Sequence, residues 1–238
     1  MKAASTAIGS LVLAVAASGT AAAATCTAHS GASTPHLVEL YTSEGCSSCP
    51  PAEAWIGTLA PDRALALAFH VDYWDDLGWR DAYAQAQFTA RQQRLAARTG
   101  GGVYTPELTL DGREWRGWSQ AVLPVPAPAP YALTLRVESG DEVSAQLDGV
   151  PSGDVRVQFA LIEEGLVRQI ERGENAGRRL NEPHVVRALS GPLAAGAASV
   201  RWMPPADTVR AQLGVVAWLL DADGRVLQAL QQPLRDCG

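Results

Sequence analysis

The stretch Leu37–Pro51, LVELYTSEGCSSCPP, constrains the chain more than any other. Leu37-Val38-Glu39-Leu40-Tyr41 is an apolar run of strand length, followed by the polar loop Thr42-Ser43-Glu44-Gly45. Cys46-Ser47-Ser48-Cys49 comes next, then Pro50 and Pro51, then Ala52, Trp55, Ile56 and Leu59 at helical spacing. Strand, loop, C-x-x-C and helix in that order is a redox arrangement. Disulfide exchange needs a thiolate, and a helix start offers unpaired N–H groups and partial positive charge that favour one. Two intervening residues let the second thiol attack the mixed disulfide formed by the first. Cys46, on the loop side, is the expected nucleophile, and Cys49 the expected resolving thiol.

A C-x-x-C is also half of a zinc site, but no second cysteine pair or His-x-x-x-His completes one. A c-type haem site needs His at position 50, which holds Pro50. A structural disulfide and a metal carrier therefore stand as the alternatives to a redox dithiol. His70, Asp72, Asp75 and Asp76 are the only other metal-like grouping. His70 lies inside an apolar run where a hydrogen-bonded core histidine is the commoner outcome, and the chain has only 2 Met as soft ligands. No metal and no cofactor is expected.

Residues 1–24 read as a signal peptide. Lys2 provides the positive start, Ile8–Ala17 a short apolar core and Ala22-Ala23-Ala24 a small-residue cleavage site. The core is short for a span, which takes about 20 apolar residues. The expected location is periplasmic or secreted. The formal net charge of −6 gives no electrostatic case for nucleic acid binding. The chain has 47% hydrophobic and 18% charged residues, the balance of a globular protein.

Disulfides persist outside the cytoplasm, and Cys26, Cys46, Cys49 and Cys237 make an even number with three possible pairings. Pairing Cys26 with Cys237 leaves Cys46 and Cys49 free for exchange; two free tail cysteines are the alternative.

Along the chain, a helix over about 51–60 is followed by the continuous apolar run Leu65–Val71, which fits a central strand covered on both faces. Residues 82–98 read as a helix stopped by Gly100-Gly101-Gly102. Asp111-Gly112 between extended segments is a hairpin signal, and Pro106 opens its first strand. In thioredoxin-like folds a cis-proline occupies this place, facing the dithiol. Three stretches, VELYTSEGCSSCPPAE (38–53), AFHVDYWDDLGWRD (68–81) and GVYTPELTLDG (102–112), resemble the secreted thioredoxin-like proteins grouped as domain of unknown function 1223. GENAGRRL (173–180) and HVVRAL (184–189) match it more weakly. The resemblance implies a thioredoxin-like N-terminal domain and export, without a settled activity.

Residues 121–130, AVLPVPAPAP, are a Pro/Ala-rich linker. Beyond them apolar residues recur at period two, at Leu133/Leu135/Val137, Val143/Ala145/Leu147 and Val155/Val157/Phe159/Leu161. The expected fold is thus an α/β thioredoxin-like N-terminal domain (25–120) followed by an all-β, sandwich-like C-terminal domain (131–238). The loop 171–183 reads as a connection rather than a binding loop.

The expected function is an exported thiol–disulfide oxidoreductase; a non-enzymatic binding module with a structural Cys46–Cys49 disulfide is the alternative. Thr105 and Pro106 would orient a protein or small-molecule thiol or disulfide substrate. Glu44, His70, Asp72 and Trp74 are candidates to stand behind the cysteines. Ser47 and Ser48 bring no positive charge to Cys46, so the expected potential lies nearer about −270 mV than about −120 mV. A membrane-bound reductant is then the implied electron partner.

Overall fold

The computed structural model describes residues 24–120 and 122–237; the expected signal segment falls outside them except for Ala24. In chain order the elements begin with β1 (Ala24–His29), β2 (His36–Thr42), α1 (Pro50–Ile56) and β3 (Ala64–His70). A 3-10 turn (Asp72–Leu77), α2 (Ala86–Thr99), β4 (Glu107–Leu110) and β5 (Arg113–Glu114) follow. Next come β6 (Thr134–Ser139), β7 (Val143–Asp148), β8 (Arg156–Glu163), β9 (Leu166–Gln169), β10 (Arg179–Glu182) and β11 (Val185–Leu189). The remaining strands are β12 (Leu193–Ala194), β13 (Ser199–Trp202), β14 (Leu213–Leu220) and β15 (Val226–Pro233).

The organising element is one nine-stranded sheet in the order β15-β14-β8-β11-β3-β2-β4-β5, with β12 attached to β8. β2 and β3 are parallel, β11 joins β3 in parallel through Val185 and Ala68, and the other pairs are antiparallel. Strands from both sides of the 121–130 segment therefore hydrogen-bond into the same sheet. The expectation of an α/β thioredoxin-like domain followed by a separate sandwich is corrected. The fold is mostly β, with two α-helices of 7 and 14 residues among the described residues.

Side-chain alternation explains the merger. Even-numbered residues of β2 and β3 (Val38, Leu40, Ala64, Ala66, Ala68) pack under α1 with Ala52 and Ile56. The odd-numbered ones (Leu37, Tyr41, Leu65, Leu67, Phe69) pack under α2 with Phe88 and Leu95, and that layer continues into Ala160, Ile162, Val216 and Trp218 of β8 and β14. The opposite face of β8 and β14 (Val157, Phe159, Leu161, Val215, Ala217, Leu219) packs on a four-stranded sheet, β1-β6-β7-β13, through Leu135, Val137, Val143, Ala145 and Leu147. β8 and β14 are apolar on both faces because both faces are covered: they extend the central sheet and also face the four-stranded one, so no separate C-terminal sandwich forms.

Local signals act where sequence places them. Asp111 (φ 51°) and Gly112 (φ 79°) both take positive φ, the conformation a two-residue hairpin between β4 and β5 requires. Gly100 ends α2 in the left-handed conformation, its N–H bonded to Ala96 O. Cys26 on the edge strand β1 is bonded to Cys237, across a sequence separation of 211.

Candidate functional site

β2 and β3 end side by side at Thr42 and His70, and the chain leaves β2 through Ser43–Cys49 into α1. Cys46 and Cys49 are joined in a disulfide, Cα–Cα 5.5 Å, and both residues are fully buried. The Cys46 N–H bonds Ser43 O (3.0 Å) and the Cys49 N–H bonds Cys46 O (3.3 Å), so the C-x-x-C segment is a pair of consecutive turns. The start of α1 does not offer sulfur free donors: Pro50 and Pro51 have no N–H, and the N–H groups of Ala52 and Glu53 both bond Cys49 O. What lies beside Cys46 Sγ is the hydroxyl of Ser48, at 3.4 Å.

A second layer closes over this turn. The indole of Trp74 packs on the Gly45 backbone, where a side chain would come within 3.4 Å of Trp74 Cβ. Trp74 Nε1 donates to Thr105 Oγ1 (2.9 Å), bringing the cis Thr105–Pro106 segment to the same loop. From beyond the 121–130 segment, Asn175 reaches back: its Nδ2 donates to Glu44 O (2.9 Å) and to Cys46 O (3.0 Å), and the residue is fully buried. Glu174 Oε2 accepts from the Ser47 N–H (3.2 Å) and hydroxyl (2.7 Å).

Around the end of β2 and the start of α1 lies a group of ionisable side chains, most of them buried. His70 Nδ1 bonds Asp81 Oδ2 at 2.7 Å, and Asp81 also accepts the N–H groups of Glu44 and Tyr83. Glu44 Oε2 accepts from Trp79 Nε1 and Oε1 from Arg168 Nε (2.9 Å). Glu53 Oε1 accepts from the Thr42 hydroxyl at 2.6 Å. Glu182, at the end of β10, is buried against this group, and neither of its oxygens has a hydrogen-bond partner. Glu53 Oε2 and His70 Nε2 also lack partners.

Burial pushes the Glu182 carboxyl up to about 9; His70 pulls against that, and Glu44, Glu53 and Asp81 add to it. Burial alone would lower His70, but the charge and hydrogen bond of Asp81, with Glu182 and Glu53, raise it to about 10. Asp81 is held low because His70 outweighs its own burial. Burial raises Glu53 and Glu44, the latter helped by Asp81.

The sequence family decides the relationship of this chain. The profile described as a protein of unknown function, DUF1223, matches residues 37–220. The chain belongs to the DUF1223 family. Among solved structures, the DUF1223 chain is similar to the crystal structure of an Agrobacterium tumefaciens protein, at 24% identity and a TM-score of 0.60, over 87% of this chain and 97% of that one. It is also similar to HBP35 of Porphyromonas gingivalis, at 13% identity and a TM-score of 0.55, over 87% of this chain and 77% of that one. At these identities the likeness is one of fold. No curated protein matches the chain.

Of the sequence-derived candidates, the DUF1223 fold brings Cys46, Cys49, Glu44, His70, Trp74 and Thr105-Pro106 to one end of the sheet. Asp72 is tied to Thr89 instead, accepting the Thr89 hydroxyl and donating its own N–H to it, and so fastens the 3-10 turn to α2. Trp115 and Trp118 pack on Trp55 of α1, with ring centroids 5.5 and 5.8 Å away. Glu53, Asp81, Arg168, Glu174, Asn175 and Glu182 were not singled out by sequence reasoning. Glu53, Asp81, Glu174 and Asn175 do lie in stretches that carry the family resemblance, at 38–53, 68–81 and 173–180; Arg168 and Glu182 lie in none of them. Among the described residues no group of three or more His, Cys, Asp and Glu side chains is arranged to hold a metal ion.

Proposed function

We propose that this DUF1223 protein is an exported thiol–disulfide oxidoreductase working through Cys46 and Cys49. The observation that carries the reading is the contrast between its two disulfides. Cys26–Cys237 closes a ring of more than 200 residues and Cys46–Cys49 one of about four. On the chain-entropy model these contribute about 5 and about 2 kcal/mol respectively. The short bridge is a poor staple in a fold already tied end to end, and it sits where β2 hands over to α1, next to Gly45, on which Trp74 packs.

In the reducing direction, the Cys46 thiolate attacks a substrate disulfide, breaking that S–S bond and releasing one substrate thiolate. Cys49 then attacks Cys46 Sγ in the mixed disulfide, forming the Cys46–Cys49 bond and releasing the second. Two electrons have passed from the protein to the substrate, and a membrane-bound dithiol donor restores them. Thr105-Pro106 supplies backbone beside the reacting sulfur to align an extended substrate.

The surroundings favour this direction. Ser48 is a neutral donor, the first-turn N–H groups are committed, and the Glu174 carboxylate stands by Ser47. With so little to stabilise a thiolate, the potential lies nearer about −270 mV than about −120 mV. Equilibration of the folded protein in dithiothreitol and glutathione buffers, read by alkylation, is the test. A midpoint above about −150 mV reverses the direction.

Complete burial of both cysteines favours a second reading, a structural bridge in a binding protein. A disulfide that stays closed in every buffer until the protein unfolds would establish that reading instead.

A further inference from the structure

We infer that Glu53 and Glu182, coupled through His70, form a buried proton store that protonates Cys49 as the disulfide opens. The inference rests on the redox reading of Cys46–Cys49. Opening needs this chemistry: attack on Cys46 Sγ by an external thiolate breaks the S–S bond and leaves its electron pair on Cys49 Sγ. That sulfur is buried, and a thiolate there is costly until a proton reaches it. The proton comes from a carboxylic acid, which becomes a carboxylate beside the His70 imidazolium; the external thiol supplies the electrons and is itself oxidised.

Glu53 is placed to deliver it. It lies four residues after Cys49 on the same face of α1, with its N–H on Cys49 O at 3.2 Å. Its carboxyl points inward, to Thr42 at the end of β2. His70 ends the neighbouring strand, in register with Thr42. Glu182 arrives beside them because the chain, two residues later, is bonded to β3, with the Ala68 N–H on His184 O at 2.9 Å.

Other buried carboxylates in this protein show what a purely structural one looks like. Both oxygens of Glu39 are partnered, by Arg91, Tyr41 and Thr109, and both oxygens of Glu163, by Arg187 and the Val209 N–H. Glu182 has no such partner on either oxygen, Glu53 has one bare oxygen, and His70 has a bare Nε2. A group buried for stability is satisfied; these three are left able to take or give a proton. The charged and titratable groups facing them are Glu44 from the C-x-x-C loop, Asp81 and Tyr83 from the segment before α2, and Arg168 from β9. The carboxyl of Glu182, raised to about 9, keeps the store filled at neutral pH, and burial raises Glu53 in the same direction.

The test uses the full folded protein and dithiothreitol as the probe, with the opening rate expressed per dithiothreitol thiolate. For the native protein this corrected rate holds level at low pH and falls as the store empties toward about pH 9. E53Q and E182Q are expected to lower the level region by about 100-fold and to flatten the fall, the size of a lost general acid. E53D restores part of the rate. Infrared spectra of the oxidised protein are expected to show a protonated carboxyl band at neutral pH that E182Q removes, a readout independent of reduction. If the native protein reacts but both variants keep its pH profile, or if the band is absent, the proton store is wrong while the redox reading stands. If the native disulfide resists dithiothreitol at every pH, the redox reading fails and takes this inference with it.

Discussion

Replacing Asn175 with alanine tests whether the segment around it governs access to the dithiol. Its amide makes two hydrogen bonds, to the carbonyls of Glu44 and Cys46, at a position with no solvent exposure. Each such bond contributes about 1 kcal/mol net, and stranding a buried carbonyl adds to the loss, so the covered state is destabilised by about 2–3 kcal/mol. At about 1.4 kcal/mol per tenfold, the open population rises about 30- to 140-fold. Where opening and closing are fast relative to the chemistry, the rate of attack follows that population. The assay is the pseudo-first-order reduction of Cys46–Cys49 by dithiothreitol in the absence of denaturant, with global stability measured separately in urea. Asn175→Ala is expected to speed reduction by that factor. Glu174→Gln, which alters only an exposed contact to Ser47, changes the rate less than about fivefold, as surface contacts contribute little. An unchanged reduction rate in a folded Asn175→Ala protein would refute the reasoning and mean that thiols reach the pair from another side.

The remaining expectations concern stability. Cys237→Ser should lower the unfolding free energy by about 5 kcal/mol and Cys49→Ser by about 2 kcal/mol, read from urea midpoints; equal losses would contradict the loop-length argument. Arg91→Ala strands the buried Glu39 carboxylate, to which Arg91 is bonded, and should cost about 3–5 kcal/mol. A loss below about 1 kcal/mol would show that Tyr41 and Thr109 suffice. Glu182→Gln should become progressively more stable than the parent as pH rises. The folded-state carboxyl is raised to about 9, so between the ordinary carboxylate range and that value the folded form binds more protons than the unfolded form. The parent therefore loses up to about 1.4 kcal/mol per pH unit there, and the amide does not. Melting temperatures that stay parallel across about pH 5 to 9 would contradict this.

Much of the molecule is legible in its residues, and the illegible part has a common cause. The run Leu65–Val71 announces a strand covered on both faces, and β3 lies between α1 and α2. Asp111-Gly112 announces a hairpin and forms one. The segments Phe159–Ile162 and Gly214–Leu220 carry the same continuous apolar run as β3, yet the period-two pattern of their neighbours invites a sandwich reading. Apolar runs report how many faces are covered but not which strand lies alongside. The site shows the same division. Cys46 and Cys49 are found by spacing because their relation is local, Glu44 by adjacency to the motif, and His70 and Trp74 by their place at the end of the Leu65–Val71 run. Asn175 and Glu174 meet the C-x-x-C segment across sequence separations of 127 to 131. No local periodicity encodes such a meeting, and a loop residue buried by a distant partner reads as an ordinary connection.

The insertion of β11 between β3 and β8 sets the order in which this sheet can be completed. One edge of β3 stays open until Val185 arrives, more than a hundred residues after β3 itself has been made. Assembly dominated by such distant pairings is slow, and an open apolar edge in the meantime invites pairing with other chains. The cover over the dithiol and the acid beneath it come from the same late stretch, at Asn175 and Glu182. A chain that stops short of them lacks the Asn175 hydrogen bonds over Glu44 and Cys46 and the buried Glu182. The surroundings of the C-x-x-C segment are thus a property of the finished chain, and a fragment carrying only the motif and its first strands is an adhesive piece rather than a small version of the whole.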